Sequence, residues 1–201
     1  RAKLHEEIVT LFTKNRVAKA VTIEGKTYNN QVVYLIVGGP GSGKSTYVRS
    51  RIPNASSFGL ISVNDVLNRL PEYKSGEDFE KIRKNLPEGF NPVTDHLIVS
   101  GGAILCRPEV NYILQQVRDK LIEQKANMIL DDTGINMEPY LAVINEPRLQ
   151  GAHFVLALVE ANAELAKVRK ERKATKTGGL MDDKEEMEAV YKVIPENFKQ
   201  I

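Results

Sequence analysis

An unbroken apolar run stands directly before a glycine-rich loop: Gln31-Val32-Val33-Tyr34-Leu35-Ile36-Val37, then Gly38-Gly39-Pro40-Gly41-Ser42-Gly43-Lys44-Ser45-Thr46. A run without polar alternation suits a strand buried on both faces, as parallel sheets require. Residues 38–45 fit the pattern G-x-x-x-x-G-K-[ST]. Glycines let the backbone curl and present successive N–H groups to an anion with no Cβ in the way. The lysine brings an ammonium to the β- and γ-phosphates, and Ser45 offers a hydroxyl to Mg²⁺. Residues 44–51 form a helix that stops before Pro53, and its N-terminus adds a dipole. Gly39, Pro40, Gly41, Ser42, Gly43, Lys44, Ser45 and Thr46 are therefore the expected nucleotide contacts.

The rest of the chain alternates strand and helix. Strands are expected at 59–63, 127–130 and 153–159, and helices at 107–124, 138–149, 163–173 and 187–194. Asn162 is placed to cap the helix that follows it. Alternation of this kind predicts an α/β fold of P-loop NTPase type, a three-layer sandwich with a mainly parallel sheet and helices on both faces. Residues 1–31 read as an N-terminal helix and strand packing on that core. Leu4, Ile8, Leu11, Phe12 and Val17 supply the helix's apolar positions. Residues 32–195 form the P-loop domain, with an insertion at 71–106 and a lid at 167–183, and 196–201 are a tail.

With 201 residues, the chain is long enough for one such domain. A formal net charge of +2 gives no general argument for nucleic acid, although a local basic groove remains compatible with it. Cys106, the single cysteine, rules out an internal disulfide, fits a reducing, cytoplasmic setting, and reads as a packed thiol. No stretch reaches the ~18 apolar residues of a membrane span, and no signal peptide is expected. The first residue is Arg1, which suggests a piece of a longer protein.

Ligands of parallel α/β sheets sit at the carboxyl ends of the strands, and the remaining candidates lie there. Asp65 follows the second strand. It suits either a base that takes the acceptor hydroxyl's proton or, with Asn64, a helix cap. Asp131 and Asp132 end the third strand, where a carboxylate can reach Mg²⁺; neighbours on a strand point to opposite faces, so at most one should face the nucleotide. Thr133 can bind substrate or cap the next segment. Arg169 and Arg172, three apart, share a helix face and can close over the phosphates as a lid, or simply be solvated. His5, His96 and His153 have no ligand spacing; His153 reads as structural, and His96 is a minor candidate for substrate contact.

Taken together, these pieces resemble the zeta-toxin and polynucleotide-kinase branch of small P-loop kinases. The pieces are residues 38–46; Val63-Asn64-Asp65 with Arg69-Leu70-Pro71-Glu72-Tyr73 behind it; residues 127–134; and Val168-Arg169-Lys170-Glu171-Arg172 leading to Lys176-Thr177-Gly178-Gly179. The resemblance spans roughly 32–195. It implies a phosphotransferase using Mg²⁺ with ATP or GTP, with Asp65 as base and Lys44 on the phosphates. It also implies Arg169 and Arg172 as lid arginines and Asp65, Arg69 and Thr133 on the acceptor side. Asp132-Thr133 matches the polynucleotide kinases, while Asp131 sits nearer the acidic residue of zeta toxins. Two positions depart from the pattern: Gly134-Ile135-Asn136 follows Thr133 where zeta toxins often carry an arginine, and Gly179 stands where the lid often has one. A nucleotide sugar such as UDP-N-acetylglucosamine slightly leads a nucleic-acid 5′-hydroxyl as acceptor. No tryptophan is present, and Tyr73, Phe79 and Phe90 are the clustered aromatics that could stack bases. An antitoxin-like protein is a further partner that the resemblance brings in. A nucleotide-dependent switch or an inactive interaction domain are the competing classes. The absence of an Asn-Lys-x-Asp motif speaks against the first, and the intact Lys44, Ser45 and Asp65 against the second.

Overall fold

The computed structural model describes residues 1–17, 19–71, 101–177 and 184–199, with the backbone alone at 101–107, 173–177 and 184–187. Most of the expected insertion, with Tyr73, Phe79, Phe90 and His96, lies outside the described residues. So do lid residues 178–183, and of Cys106 only the backbone is described.

Four parallel strands form the central sheet: β3 (Val32–Val37), β4 (Gly59–Ser62), β5 (Met128–Asp132) and β6 (His153–Leu158). Their spatial order is β4-β5-β3-β6, so the P-loop strand β3 is flanked on both sides. Every residue of β3 is buried, as its unbroken apolar run requires. Val33, Leu35 and Val37 point into a core shared with Ile8 and Val9 of α1 (Ala2–Thr13) and Val117 and Leu121 of α4 (Gly101–Glu123). Tyr140 of α5 (Glu138–Ile144) and Ile194 of α7 (Lys184–Phe198) complete it. Val32, Tyr34 and Ile36 point the other way, against Tyr47, Val48 and Ile52 at α2 (Lys44–Arg51) and the small β1–β2 hairpin (Val21–Ile23, Lys26–Tyr28). These are the three layers and parallel sheet expected from the sequence. The hairpin turns through Glu24 and Gly25, both at positive φ, the backbone a two-residue turn needs. His153 has a structural role: its ring stacks on Tyr28 with centroids 3.7 Å apart.

Several boundaries differ from the sequence expectation for local reasons. α5 stops at Ile144 because Pro147 forces Glu146 into extended backbone (φ −70, ψ 112), and a 3₁₀ turn follows at Pro147–Leu149. α4 begins at Gly101 and passes through Pro108, whose missing N–H does not end it. α6 (Ala163–Thr177) continues to the last residue before Gly178. α7 covers four residues beyond Ile194, including part of the expected tail. Leu11 is 49% exposed; Val9 takes the core position instead. Among the described residues, no helix is long and apolar enough to cross a membrane.

Asn127 locks the start of the sheet. It is buried, accepts from the Val32 N–H at 2.9 Å, and donates to the Lys19 carbonyl at 2.9 Å. Asn127→Ala strips a buried N–H of its acceptor, so a loss of about 2 kcal/mol is expected in urea unfolding. A loss under a few tenths would show that the bond is replaced.

Candidate nucleotide-binding and phosphotransfer site

The P-loop leaves β3 at Val37 and enters α2 at Lys44. Gly41 (φ +79) and Gly43 (φ +107) make its two left-handed turns, which side chains resist. Space reinforces the demand. A Cβ on Gly38 would lie 2.5 Å from the Val159 carbonyl oxygen, one on Gly41 2.4 Å from that of Ala166, and one on Gly39 2.6 Å from the Tyr191 ring. The loop is thus closed on by the end of β6, by α6 and by α7.

Side-chain donors from three helices meet this loop's carbonyls. Lys44 Nζ donates to Gly38 O at 2.6 Å, Tyr191 OH to Pro40 O at 2.8 Å, and Arg169 Nη1 to Ser42 O at 3.1 Å. Burial pushes the Tyr191 hydroxyl up to about 12, with the Arg169 charge acting against it, so it stays a donor through neutral pH. Ser42 is buried, and its Oγ has no hydrogen-bond partner among the described residues. A hydroxyl stranded inside a glycine loop at a helix N-terminus fits an anionic ligand. Ser45 and Thr46 stand exposed in the first turn of α2.

The paired aspartates separate as strand geometry demands. Asp131 pairs with Ile36 in the ladder and shares the α2 face; its carboxylate lies 3.8 Å from Lys44 Nζ. Asp132 turns away, accepting from the Thr133 N–H at 2.7 Å. Tyr140 packs under this turn and donates to Ile36 O at 2.9 Å; burial, then the charges of Asp132 and Asp131, push its hydroxyl pKa up. Thr133 Oγ1 in turn accepts from the Ile135 N–H at 3.5 Å, so its hydroxyl shapes the loop.

Asp65 lies in the first turn of α3 (Val63–Leu67) and is exposed. The N-cap position belongs to Ser62, without a side-chain capping bond, so neither Asn64 nor Asp65 caps this helix. Arg69 is exposed just past α3. On α6, capped by Asn162 Oδ1 accepting from the Glu164 N–H at 2.8 Å, Arg169 reaches the loop. Arg172 is exposed, with no bond to the loop among the described residues. Since β4, β5 and β3 are consecutive in the sheet, Asp65, Asp131 and Lys44 follow one another along its carboxyl edge. Tyr191 and Asn197 were not legible as site residues: their helical spacing signals only an amphipathic helix.

A parallel sheet with a P-loop after a central strand and a carboxylate beside its lysine defines a P-loop nucleotide-binding domain. Its sequence matches the AAA domain family over residues 33–198, and the chain belongs to that family. Among curated proteins, no sequence matches it. Two examples illustrate the solved structures that share its fold. One comes from the PezAT chromosomal toxin–antitoxin system of the human pathogen Streptococcus pneumoniae, with TM-score 0.59 and 12% identity, covering 88% of this chain and 64% of that one. The other is the complex AvrRxo1-ORF1:AvrRxo1-ORF2 with sulphate ions, with TM-score 0.67 and 13% identity, covering 98% of this chain and 57% of that one. The chain therefore spans less than two thirds of either. At the level of fold, the resemblance to zeta-toxin-like P-loop kinases holds.

Gly41→Ala combines left-handed strain with the clash against Ala166. We expect Mg²⁺·ATP affinity to fall at least about tenfold by calorimetry, against little change for Gly25→Ala, which has positive φ but open space around it. Equal, wild-type affinities would contradict the packing argument.

Proposed function

We propose that this chain is a kinase that moves the γ-phosphate of ATP or GTP to a substrate hydroxyl. The observation that carries this reading is the Lys44–Asp131 pair, 3.8 Å apart, with Asp65 one strand further along the same edge. Lys44 would exchange its bond to the Gly38 carbonyl for the β- and γ-phosphate oxygens. Ser45 and Asp131 supply the hard oxygen donors that suit Mg²⁺, and they would hold it. When bound with the nucleotide, Mg²⁺ offsets charge on the phosphates. Asp65, exposed and free of any capping role, orients the acceptor hydroxyl and takes its proton as the oxygen bonds to phosphorus. The bond to the β–γ bridging oxygen breaks, and the nucleoside diphosphate leaves. Arg169 is already at the loop and needs only a short swing from Ser42 O to the transferring oxygens; Arg172 shares its helix face. Arg69 and Thr133 flank the acceptor side.

For the acceptor we favour a nucleotide sugar such as UDP-N-acetylglucosamine, since a formal net charge of +2 is small for a chain that grips a nucleic-acid backbone. The toxin–antitoxin origin of one structural neighbour supports an antitoxin-like protein as a partner.

The test is phosphate transfer from γ-labelled ATP to UDP-N-acetylglucosamine and, in parallel, to 5′-hydroxyl RNA and DNA oligomers. Label on the sugar nucleotide supports the reading. Label on oligomer ends moves the chain to polynucleotide kinases, and free phosphate alone contradicts both. Asp65→Asn is expected to keep nucleotide affinity and lose about 10²-fold or more in kcat. Lost affinity with an intact fold would give Asp65 another role. Arg169→Lys should lower kcat more than it raises Kd for ATP, because lysine cannot reproduce the guanidinium fork. A wild-type kcat would remove Arg169 from the transition state.

A further inference from the structure

We infer that α7 braces the two loops of the site against each other, with Tyr191 and Asn197 as its positioning residues. The ladder between β3 and β5 ends at Val37 opposite Asp132. Beyond that point the P-loop and the turn at residues 133–136 leave the sheet, and no strand pairing sets the distance between them. α7 crosses both. Tyr191 donates to Pro40 O at 2.8 Å. Asn197 Nδ2 donates to Gly134 O at 3.0 Å and to Ile135 O at 2.8 Å. The two anchors are six residues apart, about 9 Å along a helix. Between them Ile194 is 3% exposed, belongs to the same core as Val37, and lies 3.8 Å from the Cβ position of Gly134.

The chemistry of this face argues for positioning. A half-buried phenol and carboxamide beside Val190 and Ile194 are costly unless their donors are used. Here the donors go to main-chain carbonyls of the two loops that carry Lys44 and Thr133. A bond to the main chain fixes where a loop sits, whatever its side chains do. Asn197 holds the turn in which Asp132 and Thr133 are displayed, and Tyr191 holds the P-loop at Gly39 and Pro40. The spacing between the nucleotide side and the Asp131–Thr133 side is thus set by anchors far along the chain, Tyr191 151 residues past Pro40 and Asn197 62 residues past Ile135. Neither side chain touches the reacting atoms in this account.

The inference rests on the kinase reading only for turnover; nucleotide binding tests it separately. Mg²⁺·ATP is titrated calorimetrically into the chain and into Tyr191→Phe, Asn197→Ala, the double variant and Val193→Ala. Val193 is 45% exposed on the same helix and serves as control. Each single variant should raise Kd about three- to tenfold, the worth of a hydrogen bond or two. The control should match wild type, and Asn197→Gln, which keeps the donor, should recover part of the loss. The double variant should lose less than the product of the singles, because releasing one anchor already frees the loops. Where transfer is measured, KM for ATP should rise more than kcat falls. An Asn197→Ala protein that melts cooperatively and binds with wild-type affinity would overturn the brace. So would a double variant equal to the product of the singles. If Asn197→Ala fails to fold, Tyr191→Phe, which keeps its ring, decides by itself: a wild-type Kd overturns the proposal. A wild type that binds ATP and phosphorylates nothing would sink the kinase reading and leave this test standing.

Discussion

One short stretch of backbone, residues 38–44, sets the terms for everything around it. It must turn twice through left-handed conformations and still let other elements approach within van der Waals contact of its Cα atoms. Glycine alone meets both demands at Gly41, where the Ala166 carbonyl fills the place a Cβ would take. The crowding also explains why a loop so rich in glycine can be well placed. Side-chain donors from α2, α6 and α7 hold its carbonyls, leaving ordering entropy to be lost at folding and not at ligand binding.

The sheet order does the remaining work. With β3 between β5 and β6, and β4 outside β5, the ends of three neighbouring strands deliver a lysine, a carboxylate facing it, and a second carboxylate one strand away. Alternation along β5 selects Asp131 for the side of α2 and sends Asp132 into the turn that shapes Thr133. A one-residue shift in that strand would exchange their faces, so the register Ile36–Asp131 decides which carboxylate lies beside Lys44.

Much of this was legible in the residues. The unbroken apolar run fixed β3 as a central strand, the glycine pattern located the loop, and Asn162 marked the start of α6. What escaped was tertiary. Tyr191 and Asn197 sit on a helix whose periodicity says only that one face is buried, and nothing local says that the face meets the P-loop. The apolar period carries the expected helix to Leu149, but Pro147 holds Glu146 in extended backbone and α5 ends at Ile144. Polar composition from Ala174 onward reads as loop, but no breaker stands between Ala174 and Thr177, so α6 runs on to Thr177. Leu11 is exposed and Val9 buried because the face that α1 turns to the core runs through Ile8, Val9 and Thr13.

The central claim is that Lys44 and Asp131 together meet the charge of a metal-bound nucleotide. The most direct measurement is calorimetric titration of ATP with and without Mg²⁺ into wild type, Lys44→Ala and Asp131→Asn. The account predicts Mg²⁺-strengthened binding by wild type, loss of affinity in both forms of the titration for Lys44→Ala, and loss of the Mg²⁺ enhancement alone for Asp131→Asn. Wild-type affinity in Lys44→Ala, or an undiminished Mg²⁺ effect in Asp131→Asn, would contradict it.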